Sequence, residues 1–230
     1  MYFIHTPIIW QEFPQLVPGM LLVEDIHPQA EIGHLIQPLY QQARARLSQT
    51  SEGQMPEVSA WRRVYSQMGL KPTQYRSAAE ALLRRFRKED QLPSLHPLVD
   101  FCNAVSVAFA LPIAVIDVAH VATFIEVRPA VGSEKYLAFS GEIETPPAGE
   151  IIFADAIDEV HARRWTFRQS RRSTISPETR QALIVSEAMH ETGLTDMKLL
   201  LDTLISGSTE LYTAPQKHAI LSLEAPRFEF

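Results

Sequence analysis

A single cysteine, Cys102, stands in a chain of 230 residues. That rules out an internal disulfide framework and any zinc site assembled from several thiolates, and it fits a reducing compartment. Glycine is scarce as well, nine residues against sixteen prolines. The balance predicts many short elements with stiff connections rather than a few long helices. No run reaches the ~20 apolar residues that a bilayer crossing needs. The longest, 104–118, is interrupted by Ser106, Pro112 and Asp117 and reads as buried core. The first residues carry no basic segment, and Pro7, Glu12 and Pro14 break any leader-like apolar stretch. A soluble, cytoplasmic protein with no membrane partner is the expectation.

Positive charge is not in excess either. Lys and Arg number 21 against 27 Asp and Glu, a net charge of −6. This excludes a globally basic nucleic-acid coat protein and gives no reason to expect DNA binding, but it leaves room for a local basic groove. Also absent are the phosphate loop G-x-x-x-x-G-K-[ST], the dinucleotide loop G-x-G-x-x-G, the zinc helix H-E-x-x-H and the nucleophile elbow G-x-S-x-G. His190-Glu191 lacks the second histidine of a zinc helix, and the eight histidines are scattered. Neither a metal nor another cofactor is expected. What is present is ordinary for a folded domain: 46% hydrophobic and 21% charged residues, in a chain long enough to bury a core without staples.

Along the chain, 3–23 mixes β-formers with prolines, and short strands are expected at Ile8-Ile9-Trp10 and Leu21-Leu22-Val23. Apolar residues at three- and four-residue spacing predict helices over 29–46, with Pro38 as a kink or break, and over 61–68 and 97–109. Trp61 and Tyr65 share one helix face and read as core. Ser77 with Glu80 three residues on is a capping box, opening a helix that would bury Ala81, Leu82, the Arg85 stem and Phe86 and end at Leu92-Pro93. After Pro112 the period becomes two, giving strands near Ile113, Phe124, Tyr136 and Ile151. Helices are expected again over 177–190 and 196–205, and an extended tail over 219–230. Helices, then strands, then helices indicate an α+β fold: a central, mostly antiparallel sheet flanked by helices. One domain over 1–230 with N- and C-terminal extensions is expected, any internal division falling near residue 55.

One segment carries a recognisable pattern. Val99-Asp100-Phe101-Cys102-Asn103 is followed by Pro112 nine residues after the asparagine, Asp117 five further on, then Val127-Arg128-Pro129-Ala130 and Glu134. This resembles the B3/B4 module of the bacterial phenylalanyl-tRNA synthetase β subunit, with the match strongest over 97–156. Trp61-Arg62-Arg63, Tyr75-Arg76-Ser77 and the segment from Arg163 to Ser170 are similar to freestanding B3/B4-domain proteins, which lack the synthetase catalytic domains. In the synthetase that module hydrolyses tyrosine wrongly esterified to its tRNA, a second sieve needed because a hydrophobic pocket rejects an added hydroxyl poorly. The resemblance therefore implies an editing hydrolase acting on the aminoacyl acceptor end of tRNA, without metal or cofactor. The alternative is a non-catalytic RNA- or amino-acid-binding module descended from it.

Carried over residue by residue, the pocket asparagine is Asn103, its neighbour Cys102, and the family's histidine position is Ala114, a departure. A glutamate on a later strand, which reads the tyrosine hydroxyl, is placed at Asp155. Asn103 and Asp155 are thus the catalytic candidates, and Cys102, Asn103, Ala114 and Asp155 the pocket. Their plainer readings are an amide bridging core elements for Asn103 and a small buried side chain for Cys102. Asp100 and Asp117 read as caps or turn formers. Arg163, Arg164, Arg168, Arg171 and Arg172 interleave with Trp165 and Phe167 and form either a phosphate groove or a solvated face paired with acids.

Overall fold

The computed structural model describes residues 1–212 and 217–230. The first half holds β1 (Tyr2–His5), α1 (Pro7–Glu12), β2 (Val17–Val23), α2 (Gly33–Gln49), α3 (Pro56–Gln67), α4 (Ala78–Glu89) and α5 (Pro97–Phe109). Strands follow: β3 (Ile113–Asp117), β4 (Phe124–Pro129), β5 (Lys135–Leu137), β6 (Ile143–Glu144), β7 (Ile151–Ala154), β8 (Glu159–Arg163), β9 (Arg168–Gln169) and β10 (Ala182–Ala188). The chain ends with α6 (Gly193–Leu211), β11 (Lys217–Ile220) and β12 (Arg227–Glu229). The fold is α+β, as the element order indicates. No helix among the described residues is long and apolar enough to cross a membrane.

The strands form two mostly antiparallel sheets. The larger runs β12-β1-β4-β7-β8-β5-β6 with β9 beside β8, and the smaller runs β11-β2-β10-β3. Among the described residues only β1 with β4 and β5 with β8 pair in parallel. Side-chain alternation shows how they stack. On the smaller sheet Met20, Leu22, Leu183 and Val185 share a core with Phe3, Ile125, Val127 and Phe153 of the larger one. The opposite side chains, Leu21, Val23, Ala182 and Ile184, pack with Tyr40, Leu83, Phe101, Val105 and Leu204 of the helices. The order is therefore sheet, sheet, helices, with the smaller sheet in the middle.

That position explains the largest departure from the sequence reading. The stretch 177–190 is not a helix; its core is β10, buried at all seven residues. A strand covered on both faces loses the apolar–polar alternation that identifies a strand, and Ala182 to Val185 reads as a featureless apolar run. Ile8-Ile9-Trp10 is likewise helical, in α1, with Pro7 in its first turn, where a missing N–H costs nothing. Pro38 lies within α2 without ending it. Ser77 caps α4 by accepting from the Glu80 amide, and that helix buries Ala79, Leu83 and Phe86 in place of Ala81 and Leu82. Trp61 and Tyr65 are fully buried.

Part of the motif is a turn lock. The Glu134 side chain, fully buried, accepts from the amides of Val131, Gly132 and Ser133 and pairs with Arg128. Burial pushes this carboxyl up, but the amide and guanidinium donors outweigh it and hold it at about 2. A depressed carboxyl adds stability above its unfolded value near ~4.3 and loses it as pH falls toward the folded value. Glu134→Gln should therefore destabilise the protein by about 2–3 kcal/mol at neutral pH. The gap to the unaltered chain should shrink as urea titrations are repeated from pH 5 down to pH 3. A pH-independent gap would show that packing, not charge, holds the turn.

Candidate functional site

Between the two sheets, roofed by α4, lies a cavity of about 310 Å³. Its walls are apolar: Phe153 and Ala162 from the larger sheet, Ile113, Ala114 and Val185 from the smaller one, Leu82 from α4, and Trp165 and Phe167 from the turn after β8. Few polar groups face it. Asn103 comes from the middle of α5, Glu187 from the end of β10, and Thr166, Arg168 and Gln169 from one segment of chain. Gln169 is already spent, donating to the carbonyls of Val115 and Ser173. The Asn103 side chain has no hydrogen-bond partner among the described residues and is free for a ligand.

Glu187 is the best-held group in the site. It is 2% exposed. Its Oε1 accepts from His5 Nε2 at 2.6 Å and from Trp165 Nε1 at 2.9 Å, while Trp61 Nε1 donates to its carbonyl at 3.1 Å. The Trp165 bond depends on an unusual backbone. Arg164 and Trp165 both have left-handed φ, 46° and 57°, which is costly for an arginine and a bulky aromatic and is concentrated at functional sites. Their turn swings the indole inward, where it stacks edge-on against Trp61 at 5.2 Å. The remaining oxygen, Oε2, has no partner among the described residues.

The structure sorts the sequence candidates. Asn103 and Ala114 line the cavity. Cys102 points to the opposite face of α5, into the helix-side core, where burial pushes its thiol up and leaves it inert. Asp155 is not at the cavity. Its carboxylate accepts from the amides of Ala122, Ile157 and Glu159, with His161 Nε2 3.4 Å away. Burial raises this carboxyl, and those donors more than compensate, so it lies below the usual range. His161 in turn bonds Ser173 at 2.9 Å. Asp155, His161 and Ser173 are in the sequence of an acid–imidazole–hydroxyl relay, but all are buried away from the cavity, so they tie loops together. The carboxyl group facing the cavity is Glu187, which the sequence reading missed because it sits on the strand taken for a helix.

The arginine run divides too. Arg163 is 3% exposed, bonded to Glu150 at 2.8 Å and to Glu144, with its guanidinium over the Tyr136 ring. Arg164 lies over Tyr75 and near Glu150, and Arg172 pairs with Glu159. These three serve the scaffold. Arg168, at the cavity rim, and Arg171 are exposed and have no carboxylate within 4 Å among the described residues. On the capping helix, Arg84 and Arg87 are tied to Glu52 and Arg85 to Glu89.

The architecture is an α+β sandwich of two sheets and a helical layer, and its apolar cavity is lined by a buried acid and by an amide without a partner among the described residues. The B3/4 domain family model matches residues 60–217. The chain belongs to this family. Among solved structures it is similar to an N-terminal fragment of the phenylalanyl-tRNA synthetase β subunit from Pyrococcus horikoshii, at 10% identity and a TM-score of 0.48 over 94% of this chain and 49% of that one. The chain thus spans about half the length of that structure. No curated protein matches it.

Separating scaffold from surface arginines gives a direct check. Arg163→Ala removes the closest partner of the largely buried Glu150, which keeps Arg164 at 3.4 Å, and the partner of the more exposed Glu144, and should cost about 3 kcal/mol. Arg171→Ala should leave the melting temperature within the error of a thermal scan. Equal effects on melting would contradict this division.

Proposed function

We propose that the chain clears a wrongly attached amino acid from tRNA in trans, by hydrolysing the aminoacyl ester. The observation that carries this reading is the cavity floored by Glu187 and Asn103, in a member of the B3/4 domain family. At about 310 Å³ it is at the small end of the ~300–1,000 Å³ of ligand sites, a volume suited to one amino-acid side chain.

The apolar walls take up the aliphatic or aromatic part of that side chain, and Oε2 of Glu187 accepts from a donor on it. The Asn103 amide fixes the aminoacyl group near the mouth. Water attacks the ester carbonyl, the tetrahedral oxyanion collapses, and free amino acid leaves with the terminal ribose hydroxyl restored on the tRNA. The ester is already activated, so holding it against a water, with help from the neighbouring ribose hydroxyl, supplies most of what is needed. Arg168 and Arg171 hold the backbone of the acceptor end outside the cavity. Ala114 brings no polar group to the wall and favours the second reading, a module that binds RNA or an amino acid without cleaving it.

A panel of mischarged tRNAs decides between them. At least one should be deacylated above the no-protein rate, equally fast with and without EDTA. No turnover on any member would leave the binding module. Asn103→Ala should slow turnover while tRNA affinity holds, and Glu187→Gln should change which amino acid is removed, since it replaces an acceptor by a donor–acceptor group. An unchanged rate per folded molecule in both variants would sink the site assignment.

RNA contact has its own readout. tRNA affinity should fall with salt, and Arg168→Ala with Arg171→Ala should flatten the log–log slope by about two. Affinity indifferent to salt and to both substitutions would remove these residues from the interface.

A further inference from the structure

Just past the end of β10, away from the cavity lining, three ligand-type side chains meet from three separate segments. Glu57 lies in the first turn of α3, Asp196 in the first turn of α6, and His190 in the short connection between β10 and α6. One donor atom of each lies within 4.8 Å of the other two. Glu57 is 8% and His190 6% exposed. The Asp196 side chain is 29% exposed, so the cluster opens to solvent on that side.

The protein satisfies this cluster only in part. Arg46 donates to Glu57 Oε1 at 2.6 Å. His190 Nε2 and Thr192 Oγ1 both bond Asp196 Oδ2, at 2.7 and 2.6 Å. Glu57 Oε2 and His190 Nδ1 remain buried with no hydrogen-bond partner. An unpaired carboxylate oxygen in a cluster of ligand-type side chains is a costly arrangement in an interior. A bound cation would give the Glu57 oxygen a partner. With His190 neutral, two carboxylates against one guanidinium leave a net charge of −1 at the cluster, and the sign suits a cation.

We propose that Glu57, His190 and Asp196 bind a divalent transition-metal ion of the zinc class, with water completing its shell on the exposed side of Asp196. The imidazole makes the selection. Zinc accepts mixed nitrogen and carboxylate donors at ~2.0–2.2 Å, whereas magnesium and calcium take oxygen. Bonds of that length put donor atoms about 3 Å apart, so small rotations of the three side chains close the site. Arg46 keeps its bond to Glu57 Oε1 and orients that carboxylate from behind, as outer partners of metal ligands do. The ion clamps α3 and α6 to the end of the strand that carries Glu187 three residues earlier. It takes no part in the proposed ester hydrolysis, and the inference stands whether or not that activity exists.

The experiment uses the full chain without a histidine tag, stripped with chelator and dialysed against zinc chloride. Plasma mass spectrometry should return one zinc per chain, and zinc but not magnesium should raise the melting temperature. Cobalt(II) in place of zinc should give visible absorption stronger than that of the hydrated ion. Glu57→Gln and Asp196→Asn should each weaken zinc binding by at least about tenfold, with Arg171→Ala unchanged. Substoichiometric zinc, or equal binding by the Glu57→Gln and Asp196→Asn variants, overturns the site. If a variant does not fold, the cobalt spectrum of the unaltered chain decides, and the bands of the hydrated ion alone overturn the proposal.

Discussion

Placing the carboxyl group of Glu187 between two sheets is the constraint around which much of this molecule is arranged. A buried carboxyl needs donors, and here they come from distant parts of the chain. His5 arrives on β1, Trp165 on the strained turn after β8, and Trp61 on α3 holds the adjacent carbonyl. Each donor sits on an element that is itself locked. β1 is fixed between β4 and β12. The turn is fixed by the Trp165 amide bonding Ile151 O and by Arg164 stacked on Tyr75. These holds keep Oε1 occupied and leave Oε2 for the cavity.

A second tier of buried acids fixes the frame. Asp155 and Glu134 each collect backbone amides, Glu150 holds Arg163, and Glu80 grips Arg62 through both carboxylate oxygens. Removing one partner from such a pair leaves a buried charge uncompensated, which is why loss of Arg163 weighs more than loss of Arg171. The acids and arginines are therefore unequal participants in function. Those with mutual partners define the loops, whereas Arg168 and Arg171 are exposed and have no carboxylate partner among the described residues.

Much of the architecture was legible in the sequence because the physical signals were local. The capping serine at 77, the helix from Pro97 to Phe109, the strand from Ile151 to Ala154 and the tail strands follow from periodicity, caps and proline placement. The spacing from Asn103 to Pro112 to Asp117 marked the family, and Asn103 does face the cavity. Asp155 was misplaced because one dimension offers only an acid on an apolar strand. Whether such an acid faces a cavity or a row of amides depends on loops that fold back from Ala122 and Glu159.

The sequence alone determined the helix from Pro97 to Phe109 and the strand-rich middle, since these rest on neighbours within a few residues; Asn103 came forward as a pocket candidate only through the family resemblance. Tertiary structure decided everything that rests on burial from two sides. It made 182–188 a strand, because a layer on each face erases the alternation by which strands are read. It brought Glu187 to the cavity and His5 behind it across 182 residues of chain. It also divided the arginine run, because whether an arginine is a tie or a free cation depends on which carboxylates fold against it, and no local pattern records that.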